Sequence, residues 1–509
     1  MTIIGADTTW TTANSPVTFT GPIVVNTGVT LTINAGVTVN LNNYYLYVNG
    51  TVRAIGTNSG NIQIYGGSIT FSNSSGAGSI FQNAAINSSI TSSSTLTVIN
   101  STINSGSLTV GDSSVLTNNI ISSQVTARNS CNFINNNISG DISAGNLCAL
   151  TGNTLLGDIT TGQSTKISNN TIMGSKIVLA PFGGHSYTIA LTVGSTSTIT
   201  NNTVSGGVTA ISSSISNNTI SGGAPFTDWA GRGEDSTSAL EVSGTSSSVT
   251  GNIIWSSTGG YGVLLRAGYT VVSGNVIEDS LRIAGDALVE GNYISHGGTG
   301  VQVGDIFISA FNDINYGQGN SIIRNNVITG NYLGIGSSYA GGSAVIQQNL
   351  ISNNSLGIQV NSNMVIQNNT IANSSTAIRL QGFAPAISFN NIVNCTENTI
   401  YLSSVSTNVN ATYNWWGTTN TQTINFTIHD FKYDLNLGAV NFVPFLTTAN
   451  PQAGPENSIA PTPTPTPAPT PVIPEFPTLT MLPLILAAIL ITMVIAKQKT
   501  KQHQNLKKP

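Results

Sequence analysis

Acidic side chains and histidine are scarce in this chain, with 19 Asp and Glu and 4 His in 509 residues. They are not evenly spread. Between Asp228 and Asp313 stand Asp228, Glu234, Asp235, Glu241, Glu278, Asp279, Asp286 and Glu290, together with His296, Arg266, Arg282, Trp229, Trp255 and Tyr261. Asp279 and His296 each lie four residues past a recurring Asn, Asn275 and Asn292. They therefore hold equal positions in consecutive units of a repeat. A carboxylate about 5 Å from an imidazole, the spacing of adjacent strands, would raise the histidine pKa and work as a general acid/base pair. Asp228, Trp229, Glu234, Asp235 and Tyr261 are the accompanying candidates for substrate binding. Their carboxylates could accept sugar hydroxyls or, with Glu241, hold Ca²⁺, and their rings could stack on sugar faces. No other cofactor is expected and no further metal set is spaced for one. The competing reading is that a long exposed flank must place its few charges somewhere, and a surface pair of this kind contributes little.

What positions these residues is a repeat of the form aliphatic, two spacers, Asn, one spacer, aliphatic, running from about residue 83 to 393. Its Asn falls at Asn119, Asn136, Asn153, Asn170, Asn202, Asn218, Asn252, Asn275, Asn292, Asn326, Asn349, Asn369 and Asn391. Most steps are one or two units of about 17 residues. A fixed period signals stacked units, each covering the apolar face of the next. Units this short, rich in Thr, Ser, Val, Ile, Asn and Gly, are strands joined by tight turns. The two aliphatic positions are five apart, so strict strand alternation would put them on opposite faces, and the chain must bend between them. The residue before the motif Asn is Asn at 118, 135, 169, 201, 217, 325, 368 and 390 and Gly at 152, 251, 274 and 291. Both tolerate the left-handed conformation, which marks a one-residue corner. The motif position itself is always Asn and never Gly. It asks for a side chain, and amides hydrogen-bonded from coil to coil supply the reason.

Coils of about 17 residues with an Asn corner resemble the right-handed parallel β-helix repeats of the pectate-lyase-like superfamily and of surface and periplasmic proteins of the NosD type. The resemblance covers about 310 residues. It implies an all-β, right-handed parallel β-helix solenoid formed by a single chain, a scaffold that carries lyases, hydrolases, adhesins and inert spacers alike. No arginine motif or aspartate cluster of the lyases is recognisable, so no family catalytic residue carries over.

The domain order follows. Residues 1–70 alternate cleanly through Val29, Leu31, Ile33, Val37, Val39 and Leu41, which predicts an N-terminal β cap and entry coils. Residues 71–407 are the β-helix proper. Residues 408–449, with Trp415-Trp416-Gly417 and Val443-Pro444-Phe445-Leu446, resemble the closing segment of archaeal surface β-helix proteins and are expected to cap the last coil. Residues 450–475, with alternating Thr and Pro from Pro461 to Pro471, read as an extended stalk. Residues 476–496 are apolar over about 20 positions, enough for a transmembrane helix. The tail 497–509 holds Lys497, Lys499, Lys501, Lys507 and Lys508 and no acid, which keeps it on the cytoplasmic side and the solenoid outside. Pro474-Glu475-Phe476-Pro477 resembles archaeal sorting tails, which implies a sortase-like processing partner. No signal peptide follows Met1, so the start is expected to lie upstream.

Only 7% of residues are charged, against about 25% ordinarily. No basic patch exists, which excludes nucleic acid as a partner. Fourteen Asn-x-Ser/Thr sequons, among them Asn49, Asn73, Asn169 and Asn410, suit a glycoprotein if the chain is exported. Cys131 and Cys148 sit one coil apart. Their Cα spacing allows a bridge, but parallel side chains leave the Cβ atoms too far apart, so stacked thiols are expected. Two functions stand at this point. One is a membrane-anchored extracellular rod, about 85 Å from about 18 coils of about 4.8 Å, with a structural or adhesive role toward surface polysaccharide or neighbouring cells. The other is an anchored polysaccharide lyase or glycoside hydrolase working through the acidic central coils.

Overall fold

A computed structural model describes residues 1–104, 106–174, 189–222, 238–256, 261–304, 319–337 and 342–456. The compact unit spans Met1–Glu456. Its coil is seen most simply at Val115–Thr117, Ile120–Ile121 and Val125–Ala127, three short strands separated by corners. The next coil repeats them in register, with Leu116 on Phe133, Ile121 on Ile138 and Val125 on Ile142. Continued coil after coil, this makes three parallel sheets, called here first, second and third in chain order, around one core. The first sheet begins at Thr8–Trp10 and ends at Ala386–Ser388.

The strands are short because only alternate residues can point inward, and a coil of about 17 residues has three sides to turn. Leu116, Ile121, Val125 and Ala127 of one coil lie on Phe133, Ile138, Ile142 and Ala144 of the next, all buried. Each fully buried aliphatic contributes about 1.5–3 kcal/mol, and a coil gains that only when another covers it. Longer coils keep the pattern by lengthening strands. Tyr261–Ser273 and Ser280–Glu290 each run from the third sheet into the first without leaving the pairing, with a register shift at the bend between Arg266 and Tyr269.

The corner between first and second sheets is made by one left-handed residue: φ is 56° at Asn118, 57° at Asn169 and 65° at Gly251. The residue after it points into the core. Asn136 shows the bonding: its Oδ1 accepts from the backbone N–H of Asn119 (2.9 Å) and from Asn119 Nδ2 (3.0 Å), and its own Nδ2 donates to Leu116 O and to Asn153 Oδ1. The same bonds run unbroken through Asn170, Asn202, Asn218, Asn252, Asn275, Asn292, Asn326, Asn349 and Asn369.

At the end the row departs from the sequence spacing. Asn369 pairs with Asn390, and Asn390 with Asn414; Asn391 is not in the row. Phe389 makes the corner there, with φ 60°. The reason is the inward pair Ile387 and Ile392, which sets the frame. The Asn390-Asn391 dipeptide imitates corner plus amide but is displaced by one residue. At the other end Ser101 takes the position, donating its N–H to Asn119 Oδ1 and accepting from Ala84 N.

Trp10 and Phe19 meet edge to face, centroids 6.1 Å apart, and close the first coil. The far end is closed by Trp416, which is buried and packs edge to face on Phe442 at 6.2 Å, and by the helix Thr421–Phe426, capped by Asn420 Oδ1 on the N–H groups of Gln422 and Thr423. The chain does not leave at 449. Residues 450–456 fold back along the flank as a strap: Asn450 binds Asn391, Asn368 and Phe389 O, Ala453 O accepts from Thr370 Oγ1, and Gly454 N donates to Asn368 O. The rest of the expected stalk, 457–475, and the apolar run 476–496 lie outside the described residues, and no helix among the described residues is long and apolar enough to cross a membrane. Cys131 and Cys148 are buried free thiols, with Cys131 N donating to Cys148 Sγ at 3.4 Å. Burial and the bond with Cys148 push the Cys131 thiol far up.

Candidate functional site

The second corner of the coil, between second and third sheets, carries the residues singled out for chemistry. Glu278 pairs with Ser295, so Asp279 and His296 occupy one position on successive coils. Both are left-handed, with φ 86° and 63°. They are followed at the same corner by Gly330, Asn353, Asn373 and Asn394, with φ between 54° and 71°. The residue types alone show what the position demands, since four coils fill it with Gly or Asn. Asp279 accepts from Ser256 N–H at 2.9 Å, and His296 Nδ1 pairs with Ser295 Oγ at 2.9 Å. No ion pair joins Asp279 to His296 among the described residues. Burial lifts the Asp279 carboxyl above its usual range, the Ser256 N–H opposes this, Glu278 adds to it and His296 opposes it.

Asp228, Trp229, Glu234 and Asp235 fall in 223–237, outside the described residues. Tyr261 carries the Arg282 guanidinium over its ring at 5.1 Å and accepts from Arg282 Nη1 at 2.6 Å, so one ring face is already covered. Glu241 is held by Arg266 at 2.8 Å. Among the described residues no group of three or more His, Cys, Asp or Glu could hold a metal ion.

A recess that sequence spacing did not bring together lies further along, on the outer face of the third sheet. Register aligns Gly336, Gln359, Arg379, Tyr401 and His429 as one outward row, because their neighbours Ile358, Ile378, Ile400 and Ile428 face the core. Arg379 lies over the Tyr401 ring at 5.5 Å. Tyr401 stacks on His429 at 4.4 Å and His429 on Tyr433 at 4.8 Å, so the row ends in a pile of rings. Beside it is a second row, Tyr332, Ser355, Ser375 and Glu397, one residue before the paired Leu333, Leu356, Thr376 and Asn398. Between the rows is a cavity of about 300 Å³ lined by Tyr332, Ser355, Thr376, Arg379, Glu397 and Tyr401 among others. Arg379 Nε is enclosed and has no hydrogen-bond partner. The one sequence signal for this place is an Arg and a Tyr at equal offsets from the aliphatic pairs Ile378/Leu380 and Ile400/Leu402.

A family model described as a right handed beta helix region matches residues 238–415. This stretch contains both the Asp279/His296 corner and the recess. No curated protein and no solved structure matches the chain. The fold is thus an all-β right-handed parallel β-helix, an architecture that fits a surface or carbohydrate-related protein.

Proposed function

We propose that this right-handed β-helix is a membrane-anchored extracellular surface protein, a stiff solenoid with a structural or adhesive role that touches glycans. The observation that carries the reading is the amide row, which runs from Asn119 to Asn414 without a missing member. Here the two residues best placed for acid/base work also serve as corner residues, each bonded to its own backbone surroundings or to a neighbouring hydroxyl. The anchor rests on the sequence: an apolar run at 476–496 followed by lysines only. In this reading the partners are the lipid bilayer, surface polysaccharide or a neighbouring cell, and a sortase-like enzyme acting near Pro474-Glu475-Phe476-Pro477.

The test is protease treatment of intact cells that make the full chain, followed by alkaline carbonate extraction of their membranes. Loss of the solenoid from outside, with a C-terminal fragment retained in the membrane, supports the proposal. A protected solenoid, or one washed off by carbonate from membranes holding the full-length chain, refutes it. The second reading, a polysaccharide lyase or hydrolase, is favoured by one observation, the raised carboxyl of Asp279 one coil from an imidazole. New unsaturated products or reducing ends from acidic or neutral polysaccharide, with and without Ca²⁺, that vanish in Asp279→Asn or His296→Ala would establish it.

A further inference from the structure

Resting on the glycan-contacting reading, we infer that the recess on the third sheet is a binding subsite for a linear neutral oligosaccharide lying along the stack of coils. Three observations carry this. The recess is long in one direction: Tyr332, Ser355, Ser375 and Glu397 stand on four successive coils, about 14 Å at the inter-strand spacing. A pyranose unit is about as long as one coil is tall, so the same polar lining can meet successive units of a chain laid along the axis.

Its lining is that of a hydroxyl site. Arg379 brings the donors of its guanidinium, Glu397 is exposed and only accepts, and Asn398, Ser355, Ser375 and Thr376 do both. A donor and an acceptor on facing rows suit a sugar's hydroxyls, each of which needs one of each. Tyr332 is exposed and offers a free ring for a sugar's apolar face, while the Tyr401 ring, covered by Arg379 and His429, closes the floor.

The alternatives fit less well. A polyuronate carries a negative charge on every unit, whereas the described lining holds one cation, Arg379, and one anion, Glu397, so the second and later carboxylates find no counter-charge and one meets the repulsion of Glu397. A peptide strand would need an unpaired sheet edge, and the strands Leu356–Val360, Thr376–Leu380 and Asn398–Leu402 are each hydrogen-bonded within the stack. The proposal is of binding and not of cleavage: glycoside hydrolysis takes a pair of carboxyl groups across the bond, and among the described residues Glu397 is the one carboxylate lining the recess.

The experiment is calorimetric titration of the full-length chain in detergent with hexasaccharides of the β-1,4-glucan, mannan and xylan types, and with an oligogalacturonate as the acidic probe. Expected is saturable binding of at least one neutral probe, weakened about tenfold or more by Tyr332→Ala and by Arg379→Gln, with the oligogalacturonate weaker by a similar factor. Thermal melts of Tyr332→Ala and Arg379→Gln that match the native chain separate loss of the site from loss of fold. Arg53→Ala, at an exposed position of the strand Thr51–Ile55 far along the stack from the recess, is the unaffected control. Neutral binding that survives Tyr332→Ala and Arg379→Gln overturns the recess and leaves the glycan-contacting reading standing. Tighter binding of the oligogalacturonate overturns the neutral class. No binding of any probe sinks both the subsite and the reading it rests on.

Discussion

Replacing Asn252 by Ala removes a buried member of the amide row and tests what the row contributes. Asn252 Oδ1 accepts from Asn218 N–H at 2.8 Å and Asn218 Nδ2 at 3.0 Å, while its Nδ2 donates to Ile215 O, Thr250 O and Asn275 Oδ1. After the change the Asn218 N–H is buried with no acceptor. An orphaned buried donor costs about 1–3 kcal/mol, and each bond lost by a group that keeps another partner costs about 0.5–1.5 kcal/mol. With one orphaned donor and four such bonds the sum is about 3–9 kcal/mol. Ser should cost about half as much, because Ser101 already fills the position at the start of the row and accepts a backbone N–H there. Solenoids unfold by segments rather than all at once, so the assay is native-state hydrogen exchange. Protection should fall at Asn218 and in the strands Ser214–Ser216 and Ile253–Trp255, and persist in distant coils. A loss below about 1 kcal/mol for Ala, equal losses for Ala and Ser, or uniform loss along the chain would refute the reasoning.

Asp279→Asn should stabilise the fold at neutral pH. The folded state raises this carboxyl, so its stabilising contribution is complete below the unfolded carboxylate pKa and is lost as pH rises through the folded value. Asn keeps an acceptor for Ser256 N–H and is the residue found at the same corner in Asn353, Asn373 and Asn394. The gain, under about 1 kcal/mol at this half-exposed corner, should appear in melts at pH 7 to 8 and vanish at acid pH; destabilisation at pH 7 would count against the corner role. Trp416→Ala should cost about 3–5 kcal/mol and fray the last coils, read as faster exchange in Asn398–Leu402 with the first coils unchanged. Native protein at pH 8 should leave Cys131 and Cys148 untouched by a thiol reagent, and Cys395, pushed up to about 11 by burial, should react slowly. Rapid labelling of all three would show that the core opens.

The corners and the amide row could be read from sequence because each follows a local rule at fixed distance from two aliphatics. Asn391 shows the limit. There two Asn stood where one signal was expected, and the frame was set one residue late: Ile387-x-x-Asn390-x-Ile392 satisfies the repeat, whereas Asn391 has Ser388 three before it. Asn414 and Ser101 escaped because the flanking pattern weakens at both ends. The Arg379 and Tyr401 row was harder to see, since its members are 20 to 28 residues apart and coil length varies between them, so vertical alignment appears only once every coil has been closed. The strap at 450–456 carries no periodicity. Its sole sequence cue is an Asn before a Pro, and it reads as linker until its bonds to Asn368 and Asn391 are seen.

The amide row has a property of translation. Each Asn finds its partners one coil above and one below, and the bonds at one coil are the same as those at the next. No member knows its distance from either end. Gain or loss of a whole coil therefore breaks no bond type and leaves no group without a partner, provided the end structures at Trp10/Phe19 and Trp416/Phe442 are kept. Reach is then a quantity that duplication can adjust in steps of one strand spacing without redesigning the core. The corners, where extra residues can loop out, remain free to vary independently of length.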